Sequence, residues 1–466
     1  MSIQQEISEQ LAHWTRAVRF QDLPESVVQN TKYRVLDVIG LALAGVTTPY
    51  GASLKQASSE MNPPGPSRLF GIGQRVPVAA AAFVNGALSQ AMEFDDTHNE
   101  SIVHMSSPAV AAALALAEAE GLSGKEVITA IAIGNEISCR VGSVAPGQFH
   151  RRGFHPTGLF APFGATYLAG RVLGLSSQQL VNAAGIVGSF AAGLLECWVD
   201  GTQSKFLHPG WAAQSGITAA YLGRAGNTGP TAVFDGRFGL FASHLQDKSV
   251  ALDLGRITDD LGRHWESERA SFKPYPAAHV IHPYLDALLR LRAQHRIDPE
   301  QVQEIVVPVA GFIVGIVCEP LSEKRRPNTD SHGRVSMQYS LAEAMARGEL
   351  GRHAYQPDSL KDPRILRLAD AVTYRVDPDF PGPERFKGAV QVIMRDGTVY
   401  ETAEDHNRGS AENPMTHAEL VGKFETNAED LLGASRRHDL IDAVMSLDKL
   451  PAASRLVDLA ISEARA

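Results

Sequence analysis

Residues 108–120 read Pro-Ala-Val-Ala-Ala-Ala-Leu-Ala-Leu-Ala-Glu-Ala-Glu. Good helix formers fill this run, and its apolar side chains face every direction around a 3.6-residue turn. A helix that is apolar all round belongs among other helices, not on a surface. Gly121 follows it directly, as a left-handed terminating glycine does. Outward from this run the pattern repeats. Residues 25–44, behind Pro24, carry Val28, Val35, Ile39 and Leu43 at helical spacing. Residues 77–94, 124–144, 158–173, 177–195 and 209–225 read as further helices, and Gly174 and Gly226 close two of them. Small residues recur on these segments, as in Gly-Ser-Phe-Ala-Ala-Gly at 188–193. That favours close helix packing. No GxGxxG or GxxxxGK[ST] follows a strand, so no phosphate cradle is expected.

Near residue 265 the character changes. β-Branched runs at 303–309, 372–376 and 389–394 read as strands. Arg395-Asp396-Gly397-Thr398 reads as a hairpin turn with a return strand over 398–402. Helices over 283–294, 337–347 and 363–371 lie between them. After Met415 the chain turns helical again through Ala466, with too little core to stand alone. The expected architecture is mainly α: a large all-helical domain (1–265 together with 403–466) and a smaller α+β domain (266–402). The last stretch is expected to pack back onto the first domain.

Composition excludes several classes. Hydrophobic residues make up 44% of the 466 and charged residues 20%, which supports an ordinary globular core and rules out a disordered tail. Lys plus Arg is 43 against Asp plus Glu 52, net −9, which argues against a nucleic-acid partner. Cys139, Cys197 and Cys318 are an odd, dispersed set with no disulfide framework and no CxxC metal pair. The N-terminus lacks a basic region before an apolar core, and the apolar runs are too short for a bilayer. A cytoplasmic protein with no membrane partner is expected.

Five polar clusters interrupt the apolar helices. Buried polar groups without partners are costly, so each cluster needs a reason. Glu93-Phe94-Asp95-Asp96-Thr97-His98 closes an apolar helix, where carboxylates oppose the helix dipole. It is either a solvated turn or an acid–base pair. His104-Met105-Ser106-Ser107 precedes the 108–120 helix. Ser106 or Ser107 would be its N-cap, and the positive helix end would favour a neutral His104 imidazole. His150, Arg151, Arg152 and His155 stand before another apolar helix, a setting suited to carboxylate recognition. Lys205 lies in the loop Asp200-Gly201-Thr202-Gln203-Ser204-Lys205 between buried helices. Desolvation there would lower its proton affinity. Finally, Phe272-Lys273-Pro274-Tyr275-Pro276 precedes His279 and His282, with Pro-Tyr-Pro reading as an interdomain hinge. That pair lacks a third ligand and an H-E-x-x-H core, so no metal is expected. Together the loops offer acids, bases and cations without a nucleophile elbow or a cofactor fingerprint. The chemistry that fits is cofactor-free proton transfer on a small anion.

In this order the segments AMEFDDTH, the His104 loop, GFHPTG, DGTQSKFLHPGWAA, FKPYP…HP and MQYSLAEA resemble the MmgE/PrpD family over essentially the whole chain. That family includes 2-methylcitrate dehydratase, cis-aconitate decarboxylase and iminodisuccinate epimerase. The resemblance implies a helical domain plus an α+β lid, a homodimer, an active site between the two domains, and a small polycarboxylate substrate. By position it implies roles for Asp95, Thr97, His104, His155, Lys205 and His282. The expected catalytic groups are Lys205, His104, His155 and Asp95. The expected substrate-binding groups are Thr97, His98, Arg151, Arg152, Gln203, His282 and Tyr275, and no cofactor is expected. Two departures bear on the reaction. The His104 loop reads His-Met-Ser-Ser-Pro where many relatives have His-Pro. The stretch Glu323-Lys324-Arg325-Arg326-Pro327 also lacks the tyrosine that decarboxylases carry there. Epimerisation of iminodisuccinate is therefore expected ahead of a hydro-lyase reaction or decarboxylation, with a non-catalytic carboxylate-binding protein as the remote alternative.

Overall fold

The computed structural model describes residues 6–382 and 385–462. The 108–120 run forms the centre of a helix, α3 (Ser106–Glu120), buried from Ser106 to Ala117. Helices packed against it include α1 (Glu25–Val46), α2 (Val78–Gln90), α4 (Gly124–Gly142), α5 (Pro156–Val172) and α7 (His208–Arg224). Pro24 stands at the N-cap of α1, and Ser123 and Glu126 form a capping box that starts α4. Gly121 ends α3 at φ +69°.

The helix expected over 177–195 is shorter: α6 covers Ser177–Val187. Beyond it the glycine-rich backbone bonds sideways to the start of α5 instead of along its own axis. His155 N donates to Gly193 O (2.9 Å), Ala192 N to Gly158 O (3.1 Å) and Leu195 N to Gly153 O (2.8 Å). Ser106 and Ser107 do not cap α3 as expected. They lie inside its first turn, where their hydroxyls donate to Asp96 and Asp95.

A second, separate hydrophobic core runs from Ala277 to Met394. It joins α8 (His282–His295), α9 (Met337–Arg347) and α10 (Pro363–Ala371) to a four-stranded sheet. The strands β1 (Val302–Val309), β2 (Val372–Val376), β3 (Gly388–Met394) and β4 (Val399–Glu404) are ordered β2-β1-β3-β4. β1 and β2 are parallel, as the long helical crossover between them allows, and the other neighbours are antiparallel. The β3–β4 hairpin turns at Arg395–Thr398, with Gly397 at φ +87°. On β3 alternate residues are buried, the pattern of a sheet with one face on a core.

The chain then returns to the first core through α11 (His417–Ala428), α12 (Ala434–Met445) and a last short helix at Ser454–Leu459. Gly40 on α1 makes this docking possible: a Cβ there would lie 2.9 Å from the Phe424 ring. The expected helical end at 463–466 lies outside the described residues. Among the described residues no single helix is long and apolar enough to cross a membrane. The bent pair Glu25–Val46 and Pro49–Met61, broken by 89°, passes by length and composition only, and α1 is largely buried in the first core.

Candidate active site

The loop from Glu93 to His104 links α2 to α3 and carries two residues in the left-handed region, Glu93 (φ +55°) and Ile102 (φ +58°). For a β-branched isoleucine this conformation is strained, and such strain persists only where surrounding contacts impose it. Those contacts are present. Asp96 accepts from Arg34, from the Ser106 hydroxyl and from Ser106 N (3.2 Å), which ties the loop to α1 and α3. Thr97 and His98 pair antiparallel with Ser271 and Ala270. The solvated-turn reading of this segment therefore falls, since every residue from Glu93 to His98 is buried.

Glu93 lies at the centre of an ion cluster. Its two carboxylate oxygens accept from Lys205 Nζ at 2.5 and 2.6 Å, and Lys273 Nζ lies 3.4 Å from one of them. Lys273 also donates to the Glu93 carbonyl at 3.0 Å. Burial alone would push the Glu93 carboxyl up. The ammonium groups of Lys205 and Lys273, with His104, override it and hold the group well below the usual carboxylate range. The lone desolvated lysine expected at 205 is instead a buried, ion-paired one. Lys273 is the lysine whose proton affinity burial lowers, with Glu93 and Asp95 opposing that shift.

His104 precedes α3, as the sequence requires, but two carboxylates also face it. Its Nδ1 lies 3.3 Å from Asp95 Oδ1, and its Nε2 lies 3.9 Å from Glu93 Oε1. Asp95 is fixed in turn by the Ser107 hydroxyl (3.1 Å) and Gln90 Nε2 (3.2 Å). Burial opposes its ionisation, but His104 and Lys273 keep it below the usual range. The His155 ring centre is 5.4 Å from that of His104, and its Nδ1 is 2.8 Å from His208 Nδ1.

Glu93, His104, His155, Lys205 and Lys273 line a cavity of about 110 Å³. Glu93, Lys205, Lys273 and Arg151 supply its charges. His104, His150, His155 and His279 supply imidazoles, and Thr97 a hydroxyl. Phe312 and Ile316, which pack against the second core, and Phe386 complete the wall. Wider clefts exist, of about 630, 560 and 240 Å³. The first holds one imidazole, His353, and the other two hold none, against four in the small cavity, so the chemistry points to the small one.

Among the expected site residues, Thr97, His104, Arg151, His155 and Lys205 meet in this cavity. The others do not reach its wall, each for a local reason. Asp95 stands behind His104 and acts through it. His98 is held by Ser101 (2.8 Å) and Glu266 (3.3 Å). Arg152 turns away to the Leu245 carbonyl and Asp247. Gln203 is exposed on the 630 Å³ cleft. Tyr275 donates to Asp286 (2.8 Å) beside the 560 Å³ cleft. His282 bonds to the Ala277 carbonyl behind His279, which takes the wall position. Glu93, Lys273, His150 and His279 line the wall without having been selected from the sequence. Among the described residues no group of three His, Cys, Asp or Glu is placed to hold a metal ion.

The MmgE/PrpD N-terminal domain matches residues 9–253, more than half of the chain, and the MmgE/PrpD C-terminal domain matches 275–449. The chain belongs to the MmgE/PrpD family. Its relatives include cis-aconitate decarboxylases. That of Aspergillus terreus is 27% identical, covering 97% of this chain and 95% of the relative. Those of Homo sapiens and Mus musculus are 28% and 25% identical, each covering 97% of this chain and 94% and 93% of theirs.

The imidazoles of this MmgE/PrpD member make its stability depend on pH. Burial, with Lys205 adding to it, pulls His150 and His208 down to about 4 from 6.5. Burial also holds His155, His279 and His282 well below 6.5. Between these values the unfolded chain binds more protons than the folded one. Stability is therefore complete above pH 6.5 and is lost as pH falls toward 4. Each pH unit costs about 1.4 kcal/mol per group. Calorimetric Tm is expected to fall most steeply below pH 6.5, and His208→Gln to flatten that fall. A flat profile from pH 8 to 4 would contradict buried neutral rings.

Proposed function

We propose that the protein is a cofactor-independent acid–base enzyme that removes a proton or a carboxyl group from a carbon next to a carboxylate of a small polycarboxylate. One observation carries this reading: Glu93, Lys205 and Lys273 share a cavity with His104 and His155. Loss of a proton or of carbon dioxide at such a carbon leaves negative charge on the carboxylate. Fixed, buried ammonium groups stabilise that charge without reorganising. His155, kept neutral by burial and nearby cations, is able to accept a proton at pH 7. Because Phe312, Ile316 and Phe386 complete the wall, residues 266–402 would act as the lid that shuts out water.

Two finer readings share this step. Epimerisation of iminodisuccinate, expected from the sequence, returns a proton to the opposite face of the carbon. Decarboxylation is favoured by the relatives, all three of which are cis-aconitate decarboxylases. Proton NMR in D2O with iminodisuccinate, cis-aconitate and 2-methylcitrate tests both. An epimerase puts deuterium at the α-carbon and keeps every carbon. A decarboxylase releases carbon dioxide, and a hydro-lyase forms an ultraviolet-absorbing alkene. Turnover of any one removes the non-catalytic alternative; if all three return unchanged and unlabelled, the reading fails for these substrates.

A further inference from the structure

His155 and His208 bring their Nδ1 atoms within 2.8 Å of each other. Two neutral imidazoles bond in this way only when one Nδ1 carries a hydrogen and the other a lone pair, so the pair shares one proton. The contact is built around a glycine. The Gly193 carbonyl accepts from His155 N at 2.9 Å, and a Cβ at Gly193 would lie 3.3 Å from the His208 ring. The φ of +153° at this position also suits glycine. One residue thus seats both rings.

The two rings have different surroundings. His155 lines the cavity at 2% exposure, and its Nε2 has no partner among the described residues. His208 stands behind it, off the cavity wall and partly exposed. Ala192 and Leu194, on either side of Gly193, and Trp211 on α7 are exposed too, so this side of the pair faces the protein surface. Both rings sit at the N-terminal end of a helix, where the dipole favours the neutral form. Lys205 acts on both in the same sense, and His104 and His150 add to it at His155. A positive charge is therefore better hydrated, and further from other cations, on His208 than on His155.

We propose that His208 takes over the positive charge that proton removal would otherwise place on the buried His155. At rest His155 carries its hydrogen on Nδ1 and a lone pair on Nε2. When a substrate C–H bond breaks, the electron pair stays on carbon and the proton goes to His155 Nε2. The Nδ1 proton of His155 then passes to His208 Nδ1. His155 ends neutral and His208 ends as the imidazolium. Return of the proton to carbon runs both shifts backward. His208 is thus a positioning residue that acts through His155 without touching the substrate. The proposal rests on the reading of the site given above and adds a residue to it.

Steady-state kinetics of full-length His208→Gln and His208→Ala tests it, with whichever of iminodisuccinate, cis-aconitate and 2-methylcitrate the wild type turns over. The glutamine amide can hold the His155 ring by accepting its Nδ1–H, but it cannot take the proton. Both variants are expected to lose about 100-fold in kcat, with KM within about 3-fold of wild type. Added imidazole is expected to raise kcat of His208→Ala in proportion to its concentration. Should His208→Ala not fold, His208→Ser takes its place. A His208→Gln enzyme within about 3-fold of wild-type kcat would show that the ring is merely held, and would overturn the proposal. So would a loss that imidazole leaves untouched, which would mean a distorted site. If Lys205→Met abolishes turnover while His208→Gln keeps it, only this proposal fails. If the wild type turns over none of the three acids, the underlying reading fails with it.

Discussion

Lys205→Met is expected to lower kcat/KM by about 1,000-fold, roughly 4 kcal/mol of transition-state stabilisation, while the chain stays folded. Lys205 is the cation seated closest to Glu93 and lies under the Trp198 ring, 5.9 Å from its centre. Removing it takes away a fixed donor for the charge that develops on the substrate. The fold survives because Glu93 keeps Lys273 as a partner and methionine fills the same space. Steady-state kinetics with circular dichroism on the same sample checks both halves. Activity within a few-fold of wild type would remove Lys205 from the chemistry.

Glu93→Ala should act in the opposite sense, mainly on stability. It leaves the Lys205 and Lys273 ammonium groups buried at 3% and 0% exposure with no carboxylate between them. Breaking a buried pair by removing one partner costs roughly 3–5 kcal/mol. Adding Lys205→Met to Glu93→Ala removes one of the two stranded charges and is expected to restore part of the loss. Denaturant melts of the two single variants and the double variant measure that coupling. A double variant no more stable than Glu93→Ala would mean that the lysines do not feel each other.

Much of the fold was legible because periodicity and punctuation agree. The apolar run at 108–120, Pro24, Gly121 and the Arg395–Thr398 turn each fix a local choice that packing then reinforces. The 177–195 segment misled because its composition suits a helix, while its backbone bonds run to residues 153–158, a partner no local pattern reveals. In the site, Lys205, His104 and His155 stood out as polar groups beside apolar helices. Glu93 did not stand apart from Asp95 and Asp96, since only its left-handed backbone turns it toward the lysines. Lys273 carried a usable signal: a lysine between Phe272 and Pro274 has no obvious solvated face. The choice of His282 over His279 depended on which ring a three-residue 3₁₀ turn, His279–Ile281, turns toward the cavity, which spacing alone does not fix.

One cavity holds both the cations proposed to bind the acid and the bases proposed to move its proton. Exchange of a bound dicarboxylate's α-protons with D2O, followed by NMR for wild type and Lys205→Met side by side, tests it most directly. Steady deuterium uptake is expected in wild type, and uptake reduced to background in a folded Lys205→Met. Equal exchange in the two proteins would place the chemistry elsewhere.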